Sequence, residues 1–249
     1  RCILQQSDRL ITEVAMPSKP DAAYSRDVAA MRGRAFQNGG RKLSSVIGAE
    51  NVAALKKRLS AYPATAASAA RVDDMTPWGA LMLQASVKPQ GFQTASGIDR
   101  LLVRAAEQYR IPADSLERYQ DITRPYETLP TARIAELIAA NNRHPEQTAT
   151  QIERQYALYH SGRLKEQMSL SADSSEYSKG LSPQSTAFWQ NWLEESVLLP
   201  RNRAWLPKIL NELPKRRNLI AVGIAHLPDE NGLIMQLRRQ GYTVEPVAE

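Results

Sequence analysis

Cysteine is almost missing from this chain. Cys2 is the only one in 249 residues. No disulfide can close within the sequence, and no cysteine-built zinc site can form. Histidine is scarce as well: His144, His160 and His226 are the whole set. There is no long apolar run and mean hydropathy is −0.44, so no segment reads as a transmembrane helix. Aromatic residues make up 6%, which leaves few stacking platforms for bases. Basic residues exceed acidic ones, giving a net charge of +6 and a pI near 9.5. They are scattered, however, with only short clusters at Lys56-Lys57-Arg58 and Lys215-Arg216-Arg217. No basic run interleaves with aromatics, so the charge reads as a solvated surface and no nucleic-acid partner is expected. No internal repeat and no signal peptide are visible. The chain opens on Arg1-Cys2-Ile3 without methionine, which reads as a processed or trimmed product. Hydrophobic residues, at 43%, suffice for a real core at this length.

The most informative stretch is 218–247. Leu219 to Val222 is a short apolar run that reads as a buried strand, and Gly223 ends it. His226 follows three residues later, just past the carboxyl end. Pro228-Asp229-Glu230 predicts a helix start, with acidic groups at the positive end of the dipole. Leu233, Ile234 and Leu237 share a helical face, and Gly241 is placed as a stop. Tyr242 to Val247 alternates and predicts a second strand. Strand, helix, strand makes a βαβ unit, and ligands sit outside the carboxyl ends of such strands. A lone histidine there is read either as a capping or hydrogen-bonding residue or as a site residue.

Further patterns fill the rest. Residues 8–15 (DRLITEVA) read as a strand with Glu13 near its end, in which a surface glutamate of an edge strand is one reading. Tyr24–Phe36 suits a helix. Val52, Leu55 and Leu59 lie at helical spacing, and the alanine-rich stretch 64–72 suits another helix. Thr76 as N-cap with Pro77 after it marks a helix through Gln84. Residues 88–96 read as a polar loop. Gly97-Ile98-Asp99 opens the next helix, where capping the dipole is one role for Asp99. IPADSLE at 111–117 is a poor strand because it contains Pro112, which puts Glu117 in an uncertain position. Residues 131–162 are helical, with His144 in a turn and His160 at a helix end. Residues 164–181 are polar, serine-rich and read as a mobile segment. Residues 184–199 form a helix whose Phe188, Trp189 and Trp192 suit a core. Pro200 starts another helix, which Pro207 should kink.

Several of these segments resemble the TraB/GumN family, which includes the Tiki-type metalloproteases. Gly223-Ile224-Ala225-His226, with Gly232-Leu233 and Gly241-Tyr242-Thr243-Val244, is similar to its C-terminal Gly-x-x-His signature. Arg201-Asn202-Arg203-Ala204-Trp205 resembles its Arg-Asn-x-x-Trp helix, Gly97-Ile98-Asp99 its Gly-x-Asp segment, and Leu116-Glu117 its Leu-Glu pair. The family's first Gly-x-x-His strand has no counterpart in the sequence. The resemblance implies an α/β (mixed α+β) fold, with a small sheet from the two chain ends and a mainly helical insertion at 17–200 within one domain spanning 1–249. It implies a metal-dependent hydrolase of peptide or small-molecule substrates. His226 and Glu13 would ligate a divalent ion (Mn, Co or Zn), with Glu13 the alternative general base, and Arg201 and Asn202 would orient substrate or stabilise an oxyanion. Asp99, Glu117 and Gly223 are further candidates. The alternative is a non-catalytic ligand-binding relative, an accessory protein in surface-polysaccharide or signalling processes. The resemblance favours a periplasmic or secreted bacterial location. The geometric expectation is that His226 and Glu13 open into one hollow at the same rim of the sheet.

Overall fold

The computed structural model describes residues 3–17, 19–89, 91–92, 97–172 and 178–247. It is a mixed α/β structure with many helices around a small three-stranded sheet in the order β2-β1-β3. Strand β1 spans Arg9–Val14, β2 spans Ala113–Glu117 and β3 spans Asn218–Ala221. Both pairings are parallel, with Ile11 opposite Asp114 on one side and opposite Ile220 on the other. Parallel pairing puts all three carboxyl ends at one edge of the sheet.

β1 is therefore the central strand, not an edge. Its side chains alternate between two cores, as period 2 requires. Ile11 packs with Leu116, Trp205, Ile209 and Leu233 on one face. Leu10 packs with Leu4, Val103 and Ala106 on the other. Glu13, two residues from Ile11, is thereby aimed towards the Trp205 side. A third and larger core, around Leu43, Leu55, Leu59, Val72, Trp78, Ile134 and Ile138, is built by helices alone.

Several helices follow the local signals. Helices run over Ala22–Ala35, Ala49–Ser60, Pro63–Ala69, Thr131–Arg143 and Glu146–His160. Thr76 does cap Pro77–Ala85, its side chain accepting from the Gly79 N–H. Gly97 precedes the Ile98–Gln108 helix, with Asp99 in its first turn.

Three expectations are corrected. Residues 113–117 do form a strand. Pro112 stands just ahead of it, so its missing N–H costs no ladder bond, and its carbonyl accepts from the Leu10 N–H at 3.0 Å. The 17–200 stretch consequently contains β2 as well as helices. Tyr242–Val247 is not a strand: it joins no sheet, Val247 is 81% exposed, and Arg238 Nη2 donates to the Val244 carbonyl at 2.7 Å instead. The βαβ unit thus lacks its second strand. The helix expected from Pro228 begins only at Leu233, with Gly232 as N-cap and Asp229 at φ 67° in the left-handed region. Within the stretch read as mobile, Leu164–Ala172 is helical. The loop expected at 88–96 lies partly outside the described residues.

The chain from Pro183 to Glu212 is helical throughout. Pro183–Trp192 passes into a π-helical stretch, Leu193–Leu198, and then into Leu199–Glu212. Pro200 has no N–H for the carbonyl four residues back, and the widened turn falls immediately before it. Pro207 lies inside the last helix. Among the described residues no helix is long and apolar enough to cross a membrane.

Candidate functional site

The carboxyl edge of the sheet collects the site. Glu13 is the penultimate residue of β1 and Glu117 the last of β2. Beyond β3 the chain turns at Gly223 into a short 3-10 turn, Ile224–His226. The Leu199–Glu212 helix crosses this edge with Arg201 and Asn202 in its first turn and Trp205 one turn later. A spacing of four residues stacks Arg201 over Trp205 on one stripe, the guanidinium 4.6 Å from the ring centre.

Arg201 is the hub. Its Nε donates to Glu117 Oε1 at 3.0 Å and Oε2 at 3.2 Å. Its Nη2 donates to Glu117 Oε1 at 2.5 Å and to Glu13 Oε2 at 2.6 Å. Its Nη1 lies 3.1 Å from His226 Nε2. The other oxygen of Glu13 accepts from the Gly223 N–H at 2.5 Å. That contact explains the glycine, since a Cβ at 223 would come within 3.0 Å of Glu13 Oε1. Trp205 is fully buried, and its indole N–H donates to Glu117 Oε2 at 3.2 Å while its ring lies 4.4 Å from that of His226.

The tautomer of His226 follows from the network. Nδ1 is 2.7 Å from Asn202 Oδ1. Asn202 is oriented by its amide nitrogen, which donates to the carbonyls of His226 at 3.3 Å and Asn231 at 3.2 Å. Its Oδ1 can only accept, so Nδ1 carries the proton and Nε2 presents a lone pair to Arg201. Burial pushes the imidazole from its ordinary 6.5 down to about 4; the Glu13 charge opposes this and the Arg201 charge reinforces it. His226 is thus neutral at neutral pH. Burial alone would lower the pKa of Arg201, but hydrogen bonds and charge from Glu117 and Glu13 outweigh it and raise it.

Of the candidates read from the sequence, Glu13, Glu117, Arg201, Asn202, Gly223 and His226 are brought into one connected cluster. Glu117 is in place rather than displaced. Asp99 stands outside this hydrogen-bonded cluster, at an exposed position in the first turn of its helix. Partial burial of its carboxyl, followed by the charge of Glu13, pushes its pKa up. Trp205 is the residue that reasoning from spacing passed over as a site member. An aromatic on a helix face reads as core, which Trp205 also is; its position four residues after Arg201 was the available signal. The expected open hollow takes a different form. His226 is 3% exposed, and a cavity of about 630 Å³ lies beside the cluster. Its wall includes Asn202 and Ala225 but not Glu13, Arg201 or His226. His144 and His160, a helix cap and a helix end, lie outside the cluster.

A divalent cation would need donors that the protein already uses. The oxygens of Glu13 and Glu117 and the lone pair of His226 are engaged by Arg201, Gly223 and Trp205, and no buried atom of the cluster lacks a partner. Among the described residues no group of three or more His, Cys, Asp or Glu could hold a metal ion. A guanidinium also fills the place at which the donors converge. In this arrangement the residues do not fit a divalent cation.

The fold and cluster define a class: a helix-rich protein with a small parallel sheet whose carboxyl edge carries a buried Glu-Arg-His constellation. A family model described as TraB/PrgY/gumN matches residues 1–246, essentially the whole chain, and the chain belongs to that family. No curated protein and no solved structure matches it.

Proposed function

We propose that the chain is a hydrolase of carbonyl substrates, peptide-like in class, with Glu13 as general base. The observation supporting this reading is the convergence of Glu13, Glu117 and His226 on one guanidinium at the carboxyl edge of the sheet. Glu13 is the partly open member, its side chain 22% exposed against 15% for Arg201 and 8% for Glu117. It can therefore reach a water molecule while the Gly223 N–H and Arg201 fix its direction. Arg201 is the group able to meet developing negative charge on a carbonyl oxygen. Neutral His226, locked by Asn202, and Trp205 hold the guanidinium in position. The metal dependence implied by the family resemblance is a separate part of the proposal. The donor arrangement gives it no support, and no step is assigned to a metal.

The test is turnover of a fluorogenic peptide and ester library at neutral pH, run with chelator and with added Mn, Co or Zn. Glu13→Gln should lower kcat by about 10²-fold or more, the loss typical of a removed general base. Absence of turnover under every condition, or equal rates for the variant, overturns the reading. Stimulation by one of the three ions would restore the metal. The second reading, a non-catalytic ligand-binding protein acting in surface-polysaccharide or signalling processes, is favoured by one observation: the named carboxylate oxygens and ring nitrogens are all paired within the protein. We further propose a periplasmic or secreted bacterial location on the resemblance alone, testable by cell fractionation.

A further inference from the structure

We infer that the cavity beside the His226 loop is a binding site for a small apolar compound that carries an ammonium group. Its volume of about 630 Å³ lies within the range of small-molecule sites, roughly 300–1,000 Å³. Trp189, Trp192, Leu193 and Leu199 give it an apolar wall with aromatic surface. Glu194 and Asp229 also line it, and no Lys, Arg or His does so among the described residues. A wall of this kind favours a cation over an anion, and indole faces add to that preference.

Two features tie this site to the neighbouring cluster without making it part of that cluster. Asn202 lines the cavity, and its Oδ1 also accepts the hydrogen bond from His226 Nδ1–H. Asp229 holds a left-handed backbone at φ 67° in the loop between His226 and Gly232, a conformation non-glycine residues adopt rarely and at some cost. That loop is closely packed, because a Cβ at Gly232 would come within 1.7 Å of the Pro228 carbonyl oxygen. An occupant therefore meets a preformed wall.

The experiment titrates the full chain with phenylalanine amide, reading tryptophan fluorescence and the His226 imidazole resonances. Both should change saturably and with one Kd. N-acetylphenylalanine has the same ring but a negative charge, and it should bind at least about fivefold more weakly. The double variant Glu194→Gln/Asp229→Asn should weaken the amide by about fivefold, the loss expected of two partly exposed charge contacts. Asparagine tolerates the left-handed backbone, so this variant keeps the loop. Absence of saturable change, equal binding of the acid, or an unaffected double variant each overturns the inference. These readouts are binding rather than turnover, so their failure leaves the Glu13 reading standing or falling by itself.

Discussion

Acidification should destabilise this protein through His226 before carboxylates enter. The imidazole has an ordinary value of 6.5 and is held down to about 4 in the fold by burial, against the Glu13 charge and with that of Arg201. A group whose folded pKa is depressed binds its proton more weakly in the native state than in the unfolded one. The neutral-imidazole stabilisation is fully present above about 6.5 and is lost as pH falls towards 4. The difference between 6.5 and about 4 corresponds to about 3 kcal/mol at 1.36 kcal/mol per unit. At 3% exposure there is little solvent to screen it. The carboxylates with lowered pKa, Asp8, Asp74 and Glu212, lose their own contributions lower in pH. Urea denaturation of the wild type and of His226→Gln at pH 7, 6, 5 and 4 isolates the effect. The stability advantage of the wild type should shrink by about 3 kcal/mol across that range, most of it below pH 6.5. A pH-independent difference between the two proteins would refute the account of a buried, neutral imidazole.

Other perturbations follow from the same contacts. Arg201→Met leaves two carboxylates facing each other without their cation and should cost about 3–5 kcal/mol, with part of that recovered in Arg201→Met/Glu117→Gln; urea midpoints measure both. Trp205→Phe keeps most of the packing but removes the donor to Glu117, for a loss of about 1–2 kcal/mol by thermal unfolding. Gly232→Ala drives a Cβ to 1.7 Å from the Pro228 carbonyl oxygen, so the loop must move. A drop of about 3 kcal/mol or more in stability is expected, together with altered His226 resonances.

The ends of the sheet were readable from local pattern. Leu10, Ile11 and Val14 announced β1, and the run before Gly223 announced β3, because both are short apolar segments with buried partners. The meeting of Glu13 with His226 follows once those two strands pair in parallel. β2 was obscured because Ala113, Asp114 and Ser115 are polar or small and sparsely buried, leaving Leu116 as its one buried residue. Nothing in such a strand advertises pairing; the backbone edge of β1 on the side away from β3 supplies it. The strand expected at Tyr242–Val247 shows the converse. Alternation alone does not make a strand where no sheet edge receives it, and Tyr242 and Val247 remain exposed. The late helix start at Leu233 has a backbone cause: the chain spends residues 227–232 in a close-packed loop that admits glycine at 232. The guanidinium hub itself could not be foreseen from spacing. Arg201 is 188 residues from Glu13 and 84 from Glu117, and only the fold decides which carboxylates a long side chain reaches.

The central claim is that the partly open carboxylate of Glu13, set by Arg201 and Gly223, activates water. It is tested most directly by single-turnover hydrolysis of the best library substrate, comparing wild type with Glu13→Gln at matched folded fraction. A rate loss of about 10²-fold or more with substrate affinity retained is the predicted result. Equal rates in the two proteins would contradict it.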